Sequence, residues 1–233
     1  MFKWVPGSEN RKAPHPIYHD KIFELYNKSR DSFWKETEVK MDKDRLVFES
    51  KLTPVEQRLV KYILSYFARI DVAIGPIIDD ISKYVDCYEA QITYGENKAR
   101  EVVHALSYMM QIKAIAKDEK EVEEMINASE DNPIIKAMLD WATKWFGVDI
   151  PENIGVKLVA MAAIEGVMFC SSFAWLQWFR DRKLLDGITL SNSFIARDES
   201  LHTMLSCVLV RDYLITKPSQ ETVVNIFKFD LSY

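Results

Sequence analysis

Glutamate three residues ahead of histidine occurs twice in this 233-residue chain, as Glu101–His104 and Glu199–His202, and each pair trails a lone acid set in apolar sequence. Asp71 lies 30 residues before Glu101, and Glu165 lies 34 residues before Glu199. On an α-helix, positions i and i+3 share a face, so each Glu–His pair can address one point. Four helices offering these side chains inward supply four carboxylates and two imidazoles, the ligand set of a two-metal carboxylate site in a bundle core. The chain has only four His, so chance places a Glu three before a His about 0.3 times. One such pair is an ordinary surface contact; two, each with its buried acid, constrain the fold.

Composition agrees with a helical bundle. Seven Gly, eight Pro and few alternating β-branched runs point to an all-α chain, and 48% hydrophobic residues suffice for a packed core. A net charge of −5 without a Lys/Arg cluster argues against nucleic-acid binding. Cys87, Cys170 and Cys207 are too widely spaced for a disulfide framework or a zinc pattern, which suits a reducing compartment. The N-terminus lacks the apolar core of a signal peptide. No run of roughly 20 uninterrupted apolar residues suggests a membrane span. The expectation is a cytoplasmic protein with no membrane or nucleic-acid partner.

The pattern along the chain predicts a single domain over 1–233. Residues 1–16, with three prolines, read as an arm, and a short helix follows from about Tyr18 to Lys28. Thr53-Pro54-Val55-Glu56 is a capping box with Pro in the first turn; it starts a long helix through Leu59, Ile63, Tyr66, Phe67, Ile70 and Asp71. Gly75-Pro76 should kink or interrupt that helix. A second long helix is expected from Val85 to Lys117, then a charged surface insert from Asp118 to Asn127. Asn132-Pro133 starts a short helix to Phe146, and Asp149-Ile150-Pro151 starts a long one, apolar nearly all round from Val156 to Phe179. The last long helix should run from Leu185 to about Ile215, with a break near Ser191–Ser193, and Ser219 can cap a final segment.

Asp and Glu are rarely buried unless paired or metal-bound. For Asp71 the alternative is an ion pair with a base on a neighbouring helix, since Arg69 at i−2 points away from it; Glu165 has no basic residue within a turn. Carboxylates with imidazoles suit iron or manganese better than structural zinc, which favours thiolates. Glu101 and Glu199, each beside its His, are the natural bridges between two ions. Tyr108, four residues after His104, falls on the same face, and Phe169, Phe173 and Ile195 are placed to form an apolar pocket about its ring. Such a pocket would shield an oxidised phenoxyl, although a core tyrosine is the plainer reading.

Tyr66–Asp71, Glu101-Val102-Val103-His104 with Tyr108, Ile164-Glu165 through Phe173, and above all Ile195-Ala196-Arg197-Asp198-Glu199-Ser200-Leu201-His202 resemble the small (β) subunit of class I ribonucleotide reductase. The similarity runs from about Ser32 to Leu205. The resemblance implies a ferritin-like helical bundle with two iron ions per chain, or manganese in their place. Asp71, Glu101 and His104 would hold one ion, and Glu165, Glu199 and His202 the other. It further implies a stable radical on Tyr108, formed when the reduced metals meet oxygen, with electrons entering through Trp34. Asp198 would join Trp34 to His104 by hydrogen bonds. The implied partners are a homodimer mate and the nucleotide-binding large subunit, to which the oxidising equivalent is lent for ribonucleotide reduction.

In that family the pattern continues well past the second Glu-x-x-His, through further helices to a flexible tail that docks into the large subunit. Here residues 217–233, with Phe227, Phe229, Leu231 and Tyr233 interleaved with Lys228 and Asp230, are either such a tail or a frayed helix end. Tyr233 is then the candidate relay tyrosine. Two other readings use the same ligands: a stand-alone two-metal oxidase or oxygenase, and a ferritin-like iron-binding protein.

Overall fold

The computed structural model describes residues 1–8, 11, 13–128, 132–147 and 153–228. Among them the structure is helical without a β-sheet, and an isolated β-bridge pairs Phe2 with Leu214. Ten α-helices follow in order: α1 (Asp20–Asp31), α2 (Asp44–Lys51), α3 (Pro54–Ser82), α4 (Tyr88–Ile115), α5 (Glu119–Asn127), α6 (Pro133–Phe146), α7 (Ile154–Ala163), α8 (Phe169–Asp181), α9 (Asp186–Val208) and α10 (Gln220–Phe227). A π-helical turn, Ile164–Met168, joins α7 to α8, and a second, Leu209–Tyr213, extends α9. The long helices α3, α4, α7–α8 and α9 form the bundle; α3 packs on α4, α1 on α4 and α9, and both α7 and α8 on α9.

The capping box at Thr53 is formed: Thr53 Oγ1 accepts from Glu56 N, and Glu56 Oε2 accepts from Thr53 N at 2.7 Å. The helix it starts continues past Pro76 to Ser82 without interruption. Pro76 deprives the carbonyl of Val72 of its helical partner, and Val72 faces solvent, where water can replace it. The expected break near Ser191–Ser193 is also absent. Ser191 and Asn192 are buried and bond to Ser107 and Gln111 on α4, while Ser193 Oγ turns back to the carbonyl of Leu190 at 2.7 Å. These polar side chains are satisfied inside a continuous helix. Helix α9 ends as an α-helix at Val208, short of Ile215.

The insert after Asp118 is a helix in its own right, capped by Asp118 and burying Val122 and Met125. Helix α2 was not foreseen. The N-terminal arm is not helical, but it is anchored: Lys3 N donates to Tyr213 O at 2.6 Å, and Trp4 is buried against Phe2 and Tyr213. The Asp149-Ile150-Pro151 start lies outside the described residues. Contrary to the expectation of no such stretch, the helical run Ile154–Asp181 is long and apolar enough to cross a membrane, yet most of it is packed inside the bundle.

Asp44 on α2 fixes the start of α9, its carboxylate accepting from Gly187 N at 3.2 Å and Ile188 N at 2.8 Å. The approach is possible because Gly187 lacks a side chain: a Cβ there would press on the carbonyl of Lys40 and lie 2.7 Å from Asp44 Oδ2. Gly187→Ala should therefore cost about 1–3 kcal/mol. That is a fall in Tm of roughly 2–4 °C per kcal/mol for a chain of this size, measured by calorimetry; an unchanged Tm would mean that the α2–α9 junction is loose.

Candidate metal centre

The six predicted ligands converge. Asp71 belongs to the buried stripe of α3 with Phe67, Ile74 and Ile78. Glu101 and His104 lie on a buried face of α4 with Tyr94, Asn97, Tyr108 and Gln111, an unusually polar core stripe. Glu165 sits inside the π-helical turn, where the extra residue turns its carboxylate toward α9. Glu199 and His202 come from the middle of α9. Two overlapping groups result, each with ligand atoms within 4.8 Å of one another: Asp71, Glu101, His104 and Glu199, and Glu101, Glu165, Glu199 and His202. Glu101 and Glu199 are common to both, as bridging ligands must be.

Both imidazoles turn Nδ1 to the centre. His104 Nδ1 lies 3.1 Å from Glu199 Oε1 and 3.5 Å from Glu101 Oε2. His202 Nδ1 lies 2.9 Å from Glu101 Oε1, 3.1 Å from Glu199 Oε2 and 3.7 Å from Glu165 Oε1. Close packing at Glu165 rests on Gly166, where a Cβ would come 2.7 Å from Thr203 Cγ2 on α9.

The electrostatics are those of a site short of positive charge. No lysine or arginine pairs with Asp71, Glu101, Glu165 or Glu199 among the described residues, so the ion-pair alternative for Asp71 fails. Both oxygens of Asp71 are buried with no hydrogen-bond partner, and the buried oxygens of Glu101 and Glu165 have only the imidazoles beside them among the described residues. Burial and then the neighbouring Glu101 and Glu199 push the Asp71 carboxyl well above its ordinary value. Burial raises Glu165 to about 8 despite the pull of His202. Burial also opposes ionisation of Glu101, but hydrogen bonds from His104 and His202 outweigh it and draw that group down to about 2. Burial disfavours the charged form of His104 and His202, yet carboxylates (Glu199 on His104, Glu101 on His202) lift both well above the usual range. Four carboxylates balance two divalent cations, and this set of orphaned oxygens with inward Nδ1 atoms fits such a pair.

Trp34 is buried, its Nε1 donates to Asp198 Oδ2 at 2.8 Å, and the same oxygen lies 3.2 Å from His104 Nε2. Donation from Nε2–H to Asp198 leaves His104 Nδ1 for the centre, the carboxylate–histidine arrangement that fixes a ligand's tautomer.

Tyr108 is fully buried, and its hydroxyl has no hydrogen-bond partner. Burial, and next the charge of Asp71, push its phenol well up. Its ring neighbour differs from the expectation. Phe67 stacks on it at 4.9 Å and 10°, while Phe169 and Phe173 pack on Phe67 at 5.2 and 4.9 Å. Phe67 reaches this place because it lies one helical turn before Asp71 on the same face of α3.

Sequence reasoning also missed Arg100. Its fully buried guanidinium donates to Ser29 O at 2.6 Å, pairs with Glu96 and lies over Phe33, tying the segment that carries Trp34 to α4. Tyr94, buried beside Glu165, went unremarked as well, and Tyr66, expected only as part of the α3 stripe, is buried beside Asp71. An Arg or Tyr in a helical stripe has no local signature of such a position. At the C-terminal end, residues 220–227 form α10, with Ile226 buried and its carbonyl accepting from Trp141 Nε1 at 2.9 Å. Phe229, Asp230, Leu231 and Tyr233 lie outside the described residues.

Known proteins share this arrangement. The family profile "Ribonucleotide reductase, small chain" matches residues 11–229. The human ribonucleoside-diphosphate reductase subunit M2 is 39% identical over 210 residues, 90% of this chain and 53% of that protein. The small chain from Variola virus is 37% identical over 93% of this chain and 67% of its own length. The solved ribonucleotide reductase Rnr4 homodimer from Saccharomyces cerevisiae superposes with a TM-score of 0.82 at 27% identity, over 94% of this chain and 69% of that one. The chain thus spans about half the length of the mammalian relatives it matches. With the profile covering nearly all its residues and the ligand geometry in place, the chain belongs to the ribonucleotide reductase small-chain family.

Proposed function

We propose that the chain acts as the small subunit of a ribonucleoside-diphosphate reductase, holding two iron ions and generating a tyrosyl radical at Tyr108 for a large subunit that reduces ribonucleotides to deoxyribonucleotides. The observation that carries the reading is Asp198 Oδ2, which meets Trp34 Nε1 on one side and His104 Nε2 on the other. A structural ion pair has no need of an indole; a route for electrons does.

In this reading Asp71, Glu101 and His104 hold one ion, Glu165, Glu199 and His202 hold the other, and Glu101 and Glu199 bridge. Iron is the metal proposed, although the same ligands accept manganese. Two reduced ions bound there supply the oxidising power by passing electrons to dioxygen. The protein's own groups do the rest. Tyr108 gives up one electron toward the centre, and its phenolic proton leaves toward Asp71, the acid whose charge bears most on it. Phe67 and the aromatic residues behind it keep water from the ring. Trp34 delivers the extra electron that leaves one oxidising equivalent on Tyr108, and Asp198 holds the indole and the imidazole at fixed distance. A homodimer in the cytoplasm, paired with the large subunit, completes the proposal.

A second reading draws on a cavity of about 620 Å³ between α8 and α9, lined by Glu165, Phe173, Leu176, Asn192, Thr203 and Met204. An apolar space that reaches a ligand suits a stand-alone oxidase acting on its own substrate. Oxygen-dependent product formation by the isolated chain would favour that reading; strict dependence on a large subunit favours the first.

Three substitutions test the roles. Tyr108→Phe should retain both metals by elemental analysis and lose the tyrosyl absorption band and spin-resonance signal; a variant that kept the signal would remove Tyr108 from the scheme. Trp34→Phe deletes the hydrogen bond to Asp198 and should lower radical yield or transfer by roughly tenfold or more with metal content unchanged. Asp71→Asn should weaken metal binding while raising the Tm of the metal-free protein, because it removes a buried carboxylate that has no partner there. A lower metal-free Tm would mean that Asp71 is paired in solution.

A further inference from the structure

A second group of ligating side chains lies away from the centre, where the N-terminal arm meets the start of α4. His19 immediately precedes α1, Cys87 immediately precedes α4, and Glu89 stands in the first turn of α4. Each brings one ligand atom within 4.8 Å of the other two. All three are buried: His19 is 1% exposed, and Cys87 and Glu89 are fully covered.

The surroundings hold these groups in place and leave one carboxylate oxygen of Glu89 bare. Glu89 Oε1 accepts from Arg11 Nη2 at 2.6 Å and from Tyr18 N at 3.0 Å, whereas Glu89 Oε2 is buried with no hydrogen-bond partner. A carboxylate oxygen left bare in a covered site is costly unless a cation takes it up. His19 Nε2 lies 3.0 Å from Ser8 Oγ, and the ring is held edge-on by Trp4 and Tyr213, each at about 5.1 Å. That clamp fixes the imidazole plane, as partners around a metal ligand commonly do. Cys87 is the one buried thiol among the three cysteines; Cys170 and Cys207 are exposed, and neither belongs to a ligating group among the described residues.

We propose that His19, Cys87 and Glu89 form a zinc site that pins the N-terminal arm and the start of α1 to the first turn of α4. Thiolate sulfur, imidazole nitrogen and carboxylate oxygen are zinc's usual protein ligands, and three of them leave the fourth tetrahedral position to water. On binding, the Cys87 thiol releases its proton to solvent and the zinc–sulfur bond replaces the S–H bond, with no change of oxidation state. Arg11 shares Glu89 through the other oxygen, so the pair stays matched when the ion is present. The thiolate also sorts the metals: it favours zinc here, while the all-oxygen-and-nitrogen centre between α3, α4 and α9 suits iron or manganese. The inference stands apart from the radical chemistry and survives if that reading fails.

Cobalt(II), added to the metal-free full chain, is the probe. It should bind at the thiolate site with a near-ultraviolet sulfur-to-cobalt charge-transfer band that carboxylate and imidazole ligands cannot produce. The band should be displaced by zinc, persist in the Glu101→Gln/Glu199→Gln chain, and persist in Cys170→Ser and Cys207→Ser. It should vanish in Cys87→Ser, and Glu89→Gln, nearly the same shape, should weaken cobalt binding at least tenfold. Circular dichroism checks that the variants fold; should Cys87→Ser fail that check, Glu89→Gln carries the test. No charge-transfer band in the unaltered chain, a band that outlives Cys87→Ser, or unchanged affinity in Glu89→Gln overturns the assignment.

Discussion

Four carboxylates buried with no lysine or arginine partner among the described residues are the constraint around which this fold is arranged. Asp71, Glu101, Glu165 and Glu199 come from four separate helical segments and meet where water is excluded. Left alone, Asp71 and Glu165 resist ionisation, pushed upward by burial and by the acids around them. Without cations, His104 and His202 are the only basic groups against the centre among the described residues, and their Nδ1 atoms lie against the carboxylates at 2.9–3.5 Å in the closest pairs. Two divalent ions would reverse this, releasing the imidazoles to act as neutral ligands. The hydrophobic bundle therefore supplies enclosure, and the charge it encloses supplies the demand for metal.

That enclosure is held from outside by a smaller set of polar contacts. Asp198 joins α9 to α4 through His104 and to the segment after α1 through Trp34. Arg197 donates to Ser32 O at 2.6 Å, and Arg100 donates to Ser29 O, so the end of α1 and the chain leading to the indole are fastened at two points. Arg100 is fully buried and Arg197 lies at the surface, so the entry to that segment is held from inside and outside alike.

Much of the centre was legible in the sequence because its signals are local and helical. Glu-x-x-His is a spacing rule, and an acid amid apolar residues is a composition rule; both survive without knowledge of neighbours. The Thr53 capping box is equally local. What escaped was set by partners distant in sequence. Phe67 reads as one more apolar residue until α4 places Tyr108 against it. Ser191–Ser193 reads as a break until Gln111 and Ser107 on α4 satisfy two of those side chains. The π-helical turn at Glu165 depends on packing against Thr203, with Gly166 as its only trace in the sequence. Cys87 was dismissed by spacing rules, since its neighbours His19 and Glu89 come together only through the fold.

The centre is also asymmetric, and the asymmetry bears on how it works. On the Asp71 side, Tyr108 is sealed by Phe67 and the rings behind it, with no polar partner for its hydroxyl. On the Glu165 side, the π-helical turn faces the cavity between α8 and α9, so one ligand lies at the edge of an apolar space. A small apolar molecule such as dioxygen can approach by the second side without touching the first. On the proposed function, separation of approach from storage would let a single centre use a reactive oxidant and still keep an oxidised ring dry. Glu165, set in the one irregular turn among the ligand-bearing segments, is the ligand whose backbone can adjust on that side, while Asp71, midway along a regular helix, holds the sealed side fixed.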